Sequence, residues 1–143
     1  MDNNKLKENL LFFYKNQKNI EVLFNVINKR SNYSLRVIEW FVTNYAKKIS
    51  VTYNVNGKPF NVYKKYKDAL KSYTKEKFDP FKRTKNIKDK FDLYNKYTKE
   101  TIETTICQLN FFKWLISNNI HEYLDKNINK IKEEMRKKFS IKI

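Results

Sequence analysis

Two side chains are the only ones of their kind in this sequence, His121 and Cys107. A nucleophilic triad of the Ser or Cys type would have to take its base from His121, and it would also need a group that orients the imidazole. Placed at a helix turn in IHEYLDK, His121 reads instead as a surface residue. Cys107 lies in the apolar stretch TTICQLNFF and reads as a small core residue rather than a reactive thiol. Without a second cysteine there is no disulfide framework and no Cys-based metal site, and a reducing compartment is expected. One common arrangement for metal-dependent phosphodiester cleavage places a Lys two residues after a strand carboxylate, and no Asp or Glu here has Lys at that offset. Asp68, Glu76, Asp79, Asp89 and Asp92 carry the oxygen ligands Mg²⁺ takes, but they are spread through a lysine-rich surface where ion pairing is the simpler role. Gly57, the single glycine, excludes a Gly-rich phosphate loop. The expectation is a protein with no catalytic residue, no metal and no cofactor.

Phosphate binding has more to work with. The 31 basic and 15 acidic residues leave a net charge of +16, which raises a positive potential over a small surface and draws polyanions. The excess is uneven. Residues 47 to 100 hold sixteen basic and six acidic residues, against seven and four before them and eight and five after. Within this section Lys64, Lys65, Lys67, Lys71, Lys75 and Lys77 share one expected helix, and Lys82, Arg83, Lys85 and Lys88 follow it. Tyr63, Tyr66, Tyr73, Phe78 and Phe81 are interleaved, as in surfaces that stack on single-stranded bases. Helical spacing assigns Tyr66 and Tyr73 to the core stripe first, and leaves Phe81 balanced between core and contact. The candidate nucleic-acid contacts are therefore Lys64, Lys65, Lys67, Lys71, Lys75, Lys82, Arg83, Lys85 and Phe81. In FDPFKR, Asp79-Pro80 fixes a corner that either locks Phe78 and Phe81 inward or presents Lys82 and Arg83. Lysine outnumbers arginine 27 to 4. Phosphate contact is therefore expected over base reading, because bidentate recognition of guanine is mainly arginine work. An AT-rich genome also inflates Lys, Asn, Ile, Tyr and Phe while leaving Gly and Pro scarce. Such bias raises Lys over Arg without requiring so large an excess over Asp and Glu.

The elements that must carry these residues follow from periodicity. With 143 residues and 41% hydrophobic content, the mean hydropathy of -0.80 reflects Lys and Asn rather than a missing core. One domain spanning 1–143 is expected. Residues 5–14 and 19–29 space their apolar positions as short helices, and Ser34 reads as the N-cap of a helix through SLRVIEWFVTNYAKK. ISVTYNVNGKPFNVY then changes to β-branched and aromatic residues around Asn56-Gly57, the pair suited to a type I′ turn. Pro59 restricts the second strand to an edge. NVYKKYKDALKSYTKEKF returns to helix with a lysine face and ends before FDPFKR, since the residue before a proline leaves the α region. Residues 84–100 are polar and expected as a weak helix or a loop. TIETTICQLNFFKWLISNN reads as a buried helix from about Ile102, broken at Asn118-Asn119, and the chain closes on an amphipathic helix from Ile120 to Phe139. The fold class is mainly α, a single helical domain of about six helices with a small β-hairpin near residues 50–62. The N-terminal apolar run is too short for a signal peptide or membrane span, so no membrane partner is expected.

Three stretches, SLRVIEWFVTNYAKK, FNVYKKYKDALKSYTKEKFDPFKR and TTICQLNFFKWLISNNI, together resemble an uncharacterised protein family of the nucleocytoplasmic large DNA viruses, the mimivirus group included. The resemblance covers residues 34–124 and leaves the first thirty residues and the tail outside. It carries no activity or functional residue. What it implies is context: the host cytoplasm with its viral factory, or the virion, where DNA is replicated, transcribed and compacted. Nucleic acid is thus the expected partner, DNA ahead of RNA, bound without marked sequence specificity. The competing expectation is an assembly or adaptor protein that joins viral protein partners through its aromatic surface and terminal helix, with its charge largely genomic.

Overall fold

The structure is a computed structural model that describes residues 3–73, 75–80 and 90–140. Helix α1 (Asn3–Phe13) and helix α2 (Gln17–Ile27) match the two short periodic segments. Asn16 separates them and caps α2, its side chain accepting from the Asn19 amide at 3.2 Å. Ser34 caps helix α3 as its sequence position suggested, accepting from the Val37 amide. α3 begins as Leu35–Trp40, passes through a π turn at Phe41–Tyr45 and finishes as Ala46–Lys48. The π turn is not visible in the sequence. It inserts one residue into the helical ladder, so that the Ala46 amide reaches back to the Phe41 carbonyl.

Strands β1 (Thr52–Val55) and β2 (Lys58–Asn61) form the expected antiparallel hairpin, with Val55 opposite Lys58 across a two-residue turn. Asn56 and Gly57 have φ of 53° and 79°, the pair of positive values that defines type I′. The hairpin leads directly into helix α4 (Val62–Tyr73). Asn61 ends β2 and caps α4, its side-chain oxygen accepting from the Lys64 amide at 3.0 Å while its nitrogen donates to Thr52. A further turn of helix, α5 (Lys75–Phe78), ends at the FDPFKR corner.

The region after the corner departs from expectation. Lys90–Asn95 and Glu100–Thr105 pair as a second antiparallel hairpin, β3 and β4, with Leu93 opposite Ile102. Residues 90–95 are thus neither helix nor loop, and Ile102 lies in a strand rather than in the following helix. Helix α6 starts only at Ile106 and runs to Ser117, capped by Thr105, which accepts from the Gln108 amide. The run Glu-Thr-Ile-Glu-Thr-Thr is rich in β-branched residues and alternates burial, with Ile102 and Thr104 inward. That alternation is the period of a strand, not of a helix. Asn119, at φ 57°, makes the break to helix α7 (Ile120–Ser140).

One hydrophobic core joins these elements. α6 is its axis: Leu109, Phe111, Phe112 and Leu115 are fully buried. Phe60 of β2, Tyr66 of α4 and Phe78 of α5 gather around Phe111 and Trp114, with neighbouring ring centroids 5.5 to 6.4 Å apart. Burial of each such ring contributes about 1.5–3 kcal/mol, and this cluster fixes how α4 faces the solvent. Tyr53 ties the first hairpin to the α6–α7 junction by donating to the Asn118 carbonyl at 2.8 Å and stacking on Tyr123.

Candidate nucleic-acid interface

α4 buries Val62, Tyr66 and Ala69 and turns Lys64, Lys65, Lys67 and Lys71 outward. With 100° per residue, Lys64, Lys67 and Lys71 fall on one strip opposite the buried stripe, and Lys65 flanks it. None of the four holds an ion pair with a described residue, whereas Arg30, Lys90 and Lys137 do. Asp68 is the one carboxylate in α4 itself. The strip is therefore a row of solvated ammonium groups on a rigid helix. Lys75 lies on α5 with its side chain outside the described set, and Phe81, Lys82, Arg83 and Lys85 also lie outside the described residues. Of the corner, Phe78 is fully buried, packed against Phe111 and Trp114. Tyr66 is core, as its spacing suggested, whereas Tyr73 is exposed rather than core and stacks its ring on Phe78.

The basic face continues beyond α4. Lys47, at the end of α3, places its Nζ 5.4 Å from the centre of the Tyr63 ring on α4. On the other side of Lys47 a groove of about 940 Å³ opens between the end of α3 and α7. Among the described residues it is lined by Lys47, Lys48, Lys130, Lys137 and Lys138 with a single carboxylate, Glu134, and by the apolar side chains of Trp40, Tyr45 and Ile49. Lys137 bridges Glu133 and Glu134, and Lys138 donates to the Asn44 side chain. The π turn of α3 forms one wall of this groove. Charge patterning along the sequence did not single it out, because its lysines come from two helices more than eighty residues apart.

The groups that catalysis would need are placed differently. Cys107 is buried, and that burial, helped by the nearby charge of Asp79, pushes its thiol up to about 12, far from the thiolate a nucleophile requires. His121 is half-buried rather than a surface residue, and its Nδ1 has no hydrogen-bond partner among the described residues. Burial, the charge of Asp79 and a smaller opposing effect of Arg36 leave the Glu39 carboxyl above its ordinary value. No group of three or more His, Cys, Asp or Glu among the described residues is arranged to hold a metal ion. No helix among them is long and apolar enough to cross a membrane.

The sequence model of the family of unknown function DUF7197 matches residues 1–142. The chain belongs to that family. Its match takes in the first thirty residues and most of the tail, both of which lie beyond the stretches that carried the resemblance. The chain is also 40% identical over 137 residues to Uncharacterized protein L507 of Acanthamoeba polyphaga mimivirus. That alignment covers 92% of this chain and 52% of the relative, so the chain spans about half the length of the viral protein it matches. No solved structure matches it. The viral affiliation expected from the three stretches is thereby shown, as is the mainly helical fold.

Proposed function

We propose that this protein is a non-enzymatic nucleic-acid-binding protein that contacts phosphates through the lysine face of α4, with little sequence preference. The observation that carries the reading is the row of Lys64, Lys65, Lys67 and Lys71, exposed, unpaired with any described carboxylate and continuous through Lys47 with the lysine-walled groove between α3 and α7. Point-like ammonium groups on long stems suit phosphate oxygens, and the few arginines leave little means for reading base edges. The relationship to a mimivirus protein supports DNA over RNA as the proposed ligand, and the viral factory or the virion is the proposed place of action.

Fluorescence anisotropy with a labelled duplex, repeated over a salt series, tests this reading. Binding should weaken steeply with salt because each neutralised phosphate releases counterions. The slope of log K against log salt should fall by up to about 0.9 for each contacting lysine removed. The variant K64Q/K65Q/K67Q/K71Q should therefore bind more weakly at low salt and with a flatter slope. Absence of micromolar binding at low salt, or an unchanged slope in the variant, would overturn the reading.

A further inference from the structure

Three of the most exposed large apolar side chains in the described structure lie around Lys15, on elements far apart in sequence. Phe12 of α1 is 73% exposed, Tyr94 of β3 56% and Tyr97, in the β3–β4 turn, 42%. Lys15 is their hub. Its ammonium lies 5.8 Å from the Phe12 ring centre and its carbonyl accepts from the Tyr97 hydroxyl at 2.9 Å. Tyr94 and Tyr97 line one shallow depression together with Lys15 and Lys96. A second depression, lined by Phe12, Phe13, Asn16, Lys15 and Lys113, shares Lys15 with the first. Lys96 sits over Tyr97 at 5.2 Å and Lys113 over Phe13 at 5.7 Å. Among the described residues no carboxylate lines either depression.

The β3–β4 turn that carries Tyr97 is tied down. The Tyr97 amide donates to the buried Asn95 side chain at 2.9 Å, and the Lys99 amide closes the turn onto the Asn95 carbonyl at 2.7 Å. Arg30 anchors the far side of the hairpin through a two-pronged pair with Glu100, both contacts at 3.0 Å. Phe12 projects from a helix whose other face, through Leu6 and Leu10, is in the core. Exposed aromatic rings interleaved with ammonium groups suit a flexible anion that carries planar groups along its length. A single-stranded nucleic acid has that chemistry: its bases stack on aromatic faces whatever their identity, and its phosphates alternate with them. Protein interfaces are by contrast depleted in lysine at their centres, whereas here Lys15 stands between the rings. Duplex DNA keeps its bases stacked on one another and offers this patch only its backbone.

We propose that Phe12, Tyr94 and Tyr97, with Lys15, Lys96 and Lys113, form a stacking platform for single-stranded nucleic acid, separate from the phosphate-binding face of α4. The identity of the ligand rests on the nucleic-acid reading given above, while the platform itself is a distinct surface. It gives the protein a preference for unpaired strands that the α4 face alone would not have.

The test measures anisotropy of a labelled oligo-dT strand and of a duplex of equal length with three proteins: the unaltered chain, F12A/Y94A/Y97A and K64Q/K65Q/K67Q/K71Q. The three rings are surface groups, so the fold should persist, which circular dichroism checks; F12S, at the most exposed ring, serves as a milder second variant. Loss of the rings should weaken single-strand binding at least ten-fold and leave duplex binding and its salt slope unchanged, with F12S showing a smaller loss of the same kind. The lysine variant should weaken both ligands. Single-strand binding by F12A/Y94A/Y97A equal to that of the unaltered chain would overturn the platform and leave the α4 reading standing. Failure of the unaltered chain to bind either ligand at low salt would overturn both. Equal loss on strand and duplex would also overturn it, as would loss of self-association on light scattering without loss of strand binding, which would make the patch a protein contact.

Discussion

The Tyr14 hydroxyl donates to the Leu109 carbonyl at 2.6 Å in the centre of the core, tying α1 to α6. Its burial raises the phenol well above its ordinary value. Burial does the same to Tyr33, Tyr53 and Tyr66, with added repulsion from Asp125 at Tyr33, from Tyr123 and Glu122 at Tyr53, and from Asp79 at Tyr66. Folded-state values above the unfolded value of about 10 mean that the folded chain holds protons which the unfolded chain releases. Stability is therefore whole below about pH 10 and falls as pH climbs toward the raised folded values. In an alkaline titration, the part of the near-ultraviolet phenolate absorbance that belongs to these four phenols should rise together with loss of far-ultraviolet circular dichroism in one cooperative step. Gradual ionisation of these phenols in an intact fold would contradict their burial. Cys107 follows the same logic, since burial converts the one thiol into a core atom.

At the level of elements, the two hairpins show what governs legibility. The first is announced by Asn56-Gly57, and at a φ of 79° Gly57 occupies the left-handed region, where an L side chain costs roughly 1–2 kcal/mol. Nothing lies within 4 Å of where a Cβ would stand, so the whole effect of Gly57→Ala should be backbone strain. We expect G57A to destabilise the protein by about 1 kcal/mol in urea unfolding with an unchanged m-value; a neutral result would exclude the type I′ geometry. The second hairpin is hidden for two reasons. Its inward positions mix Leu93 and Ile102 with Asn95 and Thr104, so hydrophobicity does not alternate even though burial does. Its turn places Lys99 at φ 63° without a glycine or proline to mark it. The lysine face of α4 was legible because one helix carries it and the 3.6-residue period separates it from Tyr66. The proposed aromatic platform was not, because Tyr97 reaches Lys15, three residues after Phe12, only when a hairpin that the sequence conceals folds against the end of α1. The π turn of α3 was equally silent, since one inserted residue leaves the apolar spacing almost unchanged.

The whole molecule carries +16 in 143 residues, and salt should act on it in two opposite directions. Like charges on a small surface repel and oppose compaction, and raising ionic strength to about 0.1 M shortens their reach to about 10 Å. The free protein should therefore become more stable with salt, each ~1 kcal/mol of relieved repulsion lifting Tm by about 3–4 °C for a chain of this length. Bound polyanion removes the same repulsion more effectively at low salt, and ligand at a hundred times its Kd adds about 2.7 kcal/mol. Thermal unfolding with and without excess oligonucleotide should thus give two curves of Tm against salt that start well apart and converge, the free protein rising as the complex falls. The same pair measured with K64Q/K65Q/K67Q/K71Q should start closer together, because that variant has both less repulsion to relieve and fewer phosphate contacts to lose. If the oligonucleotide leaves Tm unmoved at low salt while the free protein still gains stability with salt, the charge is a burden the fold carries without a nucleic-acid partner. The exposed rings of Phe12, Tyr94 and Tyr97 would then be the surface on which to seek a viral protein.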